Sequence, residues 1–96
     1  VISIFIDAPY QIEFNKSDTL TAVADVDRII IACAATCRPS CSYKWVKTDG
    51  SVVENSKILD LNPVQKLDDG SFVCVAWNKH NKQGLKKDLK LTVNCK

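Results

Sequence analysis

Three observations predict an all-β domain, either a sandwich or a barrel. Short apolar segments recur at intervals of about 8–12 residues, and turn-forming residues separate them. Several segments alternate apolar and polar side chains, whereas no stretch keeps an apolar face at helical spacing over three turns. The 96 residues, 46% of them hydrophobic, suffice for one core and leave no room for a second.

Eight segments have the apolar or alternating pattern of a strand. In chain order they are residues 1–6, a weaker alternation through Ile12 and Phe14, then 29–35, 43–46, 52–53, 58–61, 71–77 and 85–93. The first is largely apolar, and the third is rich in β-branched side chains, which favour strands. The last alternates most clearly, with apolar side chains at odd positions and polar ones at even positions from Leu89 to Val93.

The segments between these strands carry the residues that turns prefer. Pro9 follows the first strand, and because proline cannot donate to a ladder it fits a strand start or a sheet edge. Pro39 marks a turn within TCRPSC (36–41), and TDGS (48–51) is a hairpin signal. LDDG (67–70) is a further turn, and residues 78–84 are predicted to form a polar loop that ends in glycine.

Composition argues against several classes of function. Thirteen Lys and Arg against eleven Asp and Glu, a formal net charge of +2, are too balanced to indicate a nucleic acid or a membrane surface as partner. No apolar run approaches the roughly 20 residues that cross a bilayer, so we expect no direct membrane insertion. One histidine, no glycine-rich phosphate loop and no paired carboxylates in an apolar setting indicate neither an enzyme nor a cofactor.

Four motifs spread over the chain carry a family resemblance. Cys33 lies in the 29–35 segment, Trp45 follows twelve residues later, and Cys74 follows Cys33 by forty-one residues. Cys74 ends the motif DDGSFVC and is followed by VAWN. In order and spacing these motifs resemble the immunoglobulin superfamily, whose signature is a strand-B Cys, a strand-C Trp and the strand-F pattern Asp-x-Gly-x-Tyr-x-Cys before x-Ala-x-Asn. The short interval between the cysteines favours the I-set or C2 branch over a variable-type domain.

The resemblance implies a two-sheet antiparallel sandwich of about seven or eight strands with Greek-key connections. It also implies a disulfide between Cys33 and Cys74 that joins the sheets, with Trp45 packed beside it. Phe72 replaces the family's tyrosine, so we expect the corner before this strand to persist through Gly70 and packing. The other residues that match the signature are Asp68, Ala76 and Asn78.

The other cysteines leave alternatives open. Cys33, Cys37 and Cys41 are four residues apart, a spacing that could also suggest a metal or iron–sulfur site, but alternation turns Cys33 into the core and the only histidine lies far along the chain. We therefore expect no metal and favour a bridge between Cys37 and Cys41, either as a rigid tip for binding or as a simple turn staple. The resemblance puts Cys95 at the opposite end of the sandwich, so it is predicted to bond a neighbouring domain or chain, or to be a free thiol.

Disulfides indicate a compartment outside the reducing cytosol, and Asn15 begins the single N-glycosylation sequon. We therefore expect an extracellular protein, either secreted or the ectodomain of a cell-surface protein. The predicted boundaries are one domain over residues 1–96, with its core at about 9–94, a leading strand or linker at 1–8 and an exit linker at 95–96. The ends resemble the links between modules of a tandem array, so neighbouring immunoglobulin domains are expected.

Candidate binding residues lie on the 71–77 strand and the hairpin after it. Alternation turns Val75 and Trp77 to the outer face, beside a last strand whose outer face carries Lys86 and Lys90. A tryptophan framed by lysines is a candidate recognition site, although lysine stems would equally cover an indole that binds nothing. The basic hairpin fits either an acidic partner or a solvated surface; its residues are Lys79, His80, Lys82, Lys86 and Lys87.

The leading hypothesis is a non-catalytic extracellular recognition and adhesion module. It would bind a protein ligand, or a homophilic partner, through a sheet face or its loop tips. One alternative is a soluble immune lectin or pattern-recognition domain for acidic glycans, and another is a structural spacer in a tandem array. The resemblance does not choose a ligand, because this fold carries many unrelated recognition functions.

Overall fold

The computed structural model describes residues 10–37 and 39–95, and these contain eight strands and one short 3-10 helix. The strands are β1 (Tyr10–Phe14), β2 (Thr19–Val23), β3 (Ile29–Thr36), β4 (Ser42–Lys47), β5 (Val52–Glu54), β6 (Ile58–Leu61), β7 (Gly70–Asn78) and β8 (Asn81–Asn94). The 3-10 helix, Lys66–Asp68, precedes β7. The strand predicted at 1–6, the leading linker at 1–8 and Lys96 lie outside the described residues.

The strands form two sheets, one in the order β1-β3-β6 and the other in the order β2-β8-β7-β4-β5. Strands that follow each other in the chain therefore change sheets repeatedly, which confirms the predicted all-β sandwich with crossing connections. One pairing departs from the expected antiparallel pattern, because β2 runs parallel to β8. β1 and β2 do not pair with each other, because β1 pairs with β3 in one sheet and β2 lies beside β8 in the other.

Strand β2 was missed from the sequence. Its residues TLTAV alternate only weakly, and a five-residue segment with so few large apolar side chains gives little signal. Pairing with β8 and burial of Ala22, which is 2% exposed, are what make it a strand.

The last hairpin differs from its prediction as well. β8 begins at Asn81 instead of Leu85, and only two residues separate it from β7. The side-chain Oδ1 of Asn78 accepts hydrogen bonds from the backbone N–H groups of His80 and Asn81, both at 3.0 Å. The polar loop predicted over residues 78–84 is therefore wrong, because these polar side chains close a tight turn and leave the remaining residues to pair.

The core lies between the two sheets, around a disulfide. Cys33 and Cys74 are bonded, with their Cα atoms 6.6 Å apart, and both are fully buried. Trp45 stands directly opposite Cys74 in the pairing of β4 with β7 and is also fully buried. Its ring stacks on Phe14 with the centroids 5.2 Å apart, and its Nε1–H donates to the carbonyl of Lys57 at 3.1 Å. The predicted bridge between the sheets is thus confirmed.

The corner before β7 is held by a lysine where the resembled family uses a tyrosine. Phe72 is 1% exposed, and Gly70 starts the strand at a φ of +130°, a region that favours glycine. Lys47 lies directly opposite Phe72 on β4, with its Nζ 5.8 Å from the phenyl centroid. The same Nζ donates to the carbonyl of Leu67 at 3.2 Å, five residues before Phe72. A corner tyrosine donates a hydrogen bond to the backbone a few residues before it. The Lys47 ammonium donates to a carbonyl in that same segment.

Lys47→Met is expected to lower the free energy of unfolding by about 1 kcal/mol, because it keeps the aliphatic stem and removes one hydrogen-bond donor. Phe72→Tyr should recover most of that loss in the Lys47→Met background and add little to the wild type. Urea unfolding of the four proteins measures the coupling, with Lys90→Met on the outer face of β8 as control. Additive changes in the free energy of unfolding at positions 47 and 72 would contradict the inference that the Lys47 ammonium replaces the tyrosine hydroxyl.

Candidate functional site

The turn between β3 and β4 is stapled and fixed to the β7–β8 hairpin. Cys37 and Cys41 form a disulfide with their Cα atoms 5.6 Å apart, which confirms the predicted pairing. Asn78, 4% exposed, donates from Nδ2 to the carbonyl of Pro39 at 3.1 Å. At the base of the turn, the Tyr43 hydroxyl bonds both the N–H and the carbonyl of Ala35, at 3.0 and 3.3 Å. The stapled turn therefore has a defined position beside the end of β7.

The outer face of the five-stranded sheet carries an apolar strip along β7. Val73, Val75 and Trp77 point to this side, since Phe72, Cys74 and Ala76 fill the core. Val75 is only 6% exposed although it lies outside the core cluster. Side chains on its own face therefore cover it. Val75 points outward, as alternation predicted, but it forms the floor of this face and does not protrude toward a partner.

Trp77 is framed by a lysine from β4. The Nζ of Lys44 lies 5.5 Å from the indole centroid, within the range of a cation–π contact. The sequence pointed instead to Lys86 or Lys90 of β8. The strand register explains part of the difference. Lys90 stands opposite Ser71, six residues along β7 from Trp77, whereas Lys86 stands opposite Val75, two residues from Trp77.

Around this strip runs a groove of about 720 Å³, which we call the basic groove. Its floor and rim consist of Lys44, Val46, Lys47, Thr48, Gly50, Val73, Val75, Trp77, Lys82, Gln83 and Lys86. A second hollow of about 420 Å³ shares Trp77 and Lys82 with it and reaches the stapled turn. The second hollow is lined by Pro39, Ser40, Ser42, Trp77, Asn78, Lys79 and Lys82.

Most of the candidate binding residues thus meet in one place. Val75, Trp77, Lys82 and Lys86 line the basic groove, and Lys79 lines the hollow next to it. His80, exposed in the hairpin turn, lines neither. The contribution of β4, from Lys44 and Val46 above all, was not predicted from the sequence. Alternation could have identified them, because Trp45 points inward and its two neighbours along the strand, Lys44 and Val46, must then point outward.

The hairpin beside Trp77 is locked by backbone geometry. Gly84 adopts a φ of +71°, and a Cβ at this position would collide with the backbone of Ala76 and, at 2.9 Å, with the Cβ of Trp77. The N–H of Gly84 donates to Oδ1 of Asn81 at 3.0 Å. These contacts restrict the start of β8, which presents Lys82 to the groove, and a restricted backbone lowers the ordering cost of binding.

The electrostatics of the basic groove are one-sided. Four lysines line it, and no carboxylate does among the residues that the structure describes. Asp88 lies on the same side of β8, opposite Val73, but outside the lining. Asp49, in the turn at one end, accepts a hydrogen bond from the N–H of Ser51 at 2.8 Å, which lowers the pKa of its carboxyl below the ordinary value. The Asp49 carboxylate is thus hydrogen-bonded within its own turn.

The remaining predicted residues lie away from the groove. Asn15 is exposed in the β1–β2 connection, and its Oδ1 accepts the N–H of Ala32 at 2.9 Å. Asp68 accepts the N–H of Gln65 at 2.8 Å and so closes the 3-10 turn. Cys95 is an exposed free thiol in the described chain, and its bond to a neighbour stays a prediction.

One exposed ion pair lies on the other sheet. The guanidinium of Arg28 meets the carboxylate of Asp60 at 2.9 Å, and this hydrogen bond lowers the pKa of Asp60 below its ordinary value. Across residues 10–37 and 39–95, no three histidine, cysteine or carboxylate side chains are placed to hold a metal ion. In the same residues, no helix has the length and the apolar character that a membrane span requires.

No protein-family model matches the chain. Among curated proteins, the chain is 34% identical to part of inactive tyrosine-protein kinase 7 from Gallus gallus, over 69% of this chain and 6% of that protein. It is 33% identical to part of contactin-3 from Rattus norvegicus, over 75% of this chain and 7% of that protein. The chain therefore spans less than a tenth of either relative.

Solved structures of immunoglobulin domains share the fold. Sidekick-1 immunoglobulin domains 1–5 superpose with a TM-score of 0.71 and 19% identity, over 92% of this chain and 20% of that one. The N-terminal four immunoglobulin domains of Dscam1 isoform 4.44 give 0.73 and 19%, over 90% and 21%. The titin M10–obscurin-like 1 complex gives 0.69 and 18%, over 93% and 97%. With its disulfide between the sheets, its buried tryptophan and these likenesses, the chain is an immunoglobulin domain.

Proposed function

We propose that this immunoglobulin domain is a non-catalytic extracellular recognition module that binds a protein partner through the basic groove. The observation that carries the proposal is the apolar strip on the outer sheet face. Val46, Val73 and Val75 contribute nothing to the core between the sheets, yet they line a groove beside a partly exposed tryptophan. Tryptophan and a desolvated apolar floor are the features that dominate binding energy at protein interfaces.

The rigidity of the surroundings supports the same proposal. The Cys37–Cys41 bridge, the Asn78 hydrogen bonds and the conformation of Gly84 fix the elements at one end of the groove before any partner arrives. A surface that is already ordered loses less conformational entropy on binding. The two disulfides support an extracellular location, since such bridges persist where thiols are not kept reduced.

The relatives support a place among several domains. Both curated relatives are many times longer than this chain, and the Sidekick-1 and Dscam1 structures contain five and four immunoglobulin domains. The titin M10 structure is a complex of that domain with an immunoglobulin domain of obscurin-like 1. By analogy we place this domain in an array of similar modules, where its groove meets another protein.

The experiment screens the tetramerised domain against a panel of secreted and cell-surface proteins. Trp77→Ala should weaken binding to any partner found by about 30-fold or more, the effect of losing a hot-spot side chain worth about 2 kcal/mol. Ile58→Ala, which trims an exposed side chain of the opposite sheet, serves as the matched control and should bind like the wild type. Unchanged affinity in a folded Trp77→Ala protein would move the site away from the groove.

A further inference from the structure

We propose that the partner of the basic groove is an acidic protein surface, one that presents an apolar side chain surrounded by carboxylates. This inference rests on the proposed function and names the chemistry of the partner. Charge is distributed unevenly over the chain. The whole chain carries a net charge of only +2, whereas Lys44, Lys82 and Lys86 line the groove, beside Lys47, whose ammonium is bonded to the carbonyl of Leu67. Such a patch attracts anions and repels cations during encounter.

The apolar floor of the groove distinguishes a protein from an acidic glycan as the partner. Val46 and Val73 are partly exposed and gain free energy when apolar atoms cover them, whereas Val75 is already buried. A sulfated or sialylated glycan would satisfy the lysines but brings no apolar side chain for the valines. The face of Trp77, where a sugar ring would stack, is already approached by the Lys44 ammonium at 5.5 Å. A leucine or aromatic side chain flanked by Asp or Glu satisfies both parts of the groove.

The charge of the groove disfavours a symmetric pair of this domain joined through the same face. A two-fold contact places the same patch on both sides of the interface. Two basic grooves would then meet lysine against lysine, and like charges in contact oppose association. The homophilic partner considered from the sequence is therefore disfavoured at this surface, and the partner is a different protein or a different surface.

The test uses a displayed library of random peptides, panned against the purified domain with its disulfides intact. The enriched peptides should carry net negative charge and at least one leucine, isoleucine or aromatic residue. Lys82→Glu/Lys86→Glu should weaken their binding by about tenfold or more, and the affinity for the wild type should fall as NaCl is raised. Lys16→Glu/Lys57→Glu makes the same change of charge on exposed residues outside the groove, and should leave binding unchanged.

Several results would overturn the inference. One is enrichment of neutral or basic peptides, and another is equal loss of binding in both double variants. A heparin or sialylated ligand that binds the wild type while no peptide does would assign the groove to glycans. Self-association that Lys82→Glu/Lys86→Glu abolishes would assign it to a second copy. A partner from the protein panel that needs Trp77 but is insensitive to the lysines would overturn this inference and leave the proposed function intact.

Discussion

Removing the bond between Cys33 and Cys74 is expected to lower the free energy of unfolding by about 4 kcal/mol. The bridge closes a loop between residues 41 positions apart, and in the chain-entropy model a loop of that size costs the unfolded chain about this much. Small domains have a total stability of about 5–15 kcal/mol, so the variant should lie near the limit of folding at 37 °C. Cys33→Val/Cys74→Ala keeps the site apolar, and urea unfolding at 25 °C measures the loss.

The second bridge provides the matched control for this experiment. Cys37→Ser/Cys41→Ser opens a loop between residues only four positions apart, for which the same model gives about 2 kcal/mol. The ordering of the two losses is therefore part of the prediction. A smaller loss for Cys33→Val/Cys74→Ala than for Cys37→Ser/Cys41→Ser would contradict the role assigned to the bridge between the sheets.

Trp45→Ala is expected to cost about 3–5 kcal/mol, the usual loss for truncating a fully buried aromatic side chain. The substitution leaves a cavity between the sheets, removes the stacking partner of Phe14 and leaves the Lys57 carbonyl without the indole donor. The measurement is again urea unfolding, followed by far-UV circular dichroism because the variant loses one of the two tryptophans.

Trp77→Ala is the internal control, because the same truncation there removes a partly exposed side chain on the outer sheet face. It should cost less than about 2 kcal/mol, since Trp77 lies outside the core and part of its indole already meets water. Equal losses at the two positions would show that the indole of Trp45 is not the organising element of the core. The comparison also separates stability from recognition, because only Trp77 is expected to matter for partner binding.

Features that depend on local alternation could be predicted from the sequence. The inward and outward sides of β7 follow from the period of two, so Cys74 was placed in the core and Trp77 outside it. The same rule, applied around Trp45, would have added Lys44 and Val46 to the site. The boundaries of strands were harder to predict where polar residues are involved, because polar residues occur both in loops and in paired strands. The Asn78 side chain closes a tight turn, and strand pairing continues through residues that were predicted to be a loop.

Alternation and turn residues are local properties of the chain, and they determined the all-β class. The resemblance to the immunoglobulin superfamily implied the two-layer architecture and the bridge between Cys33 and Cys74, and the short spacing of Cys37 and Cys41 favoured the second bridge. The tertiary structure decided which distant segments meet. It joined β2 to β8 in parallel, brought Lys44 over Trp77 and placed the Lys47 ammonium on the Leu67 carbonyl. The physical reason is that strand register and side-chain reach between segments far apart in the chain depend on packing of the whole core, which no single segment encodes.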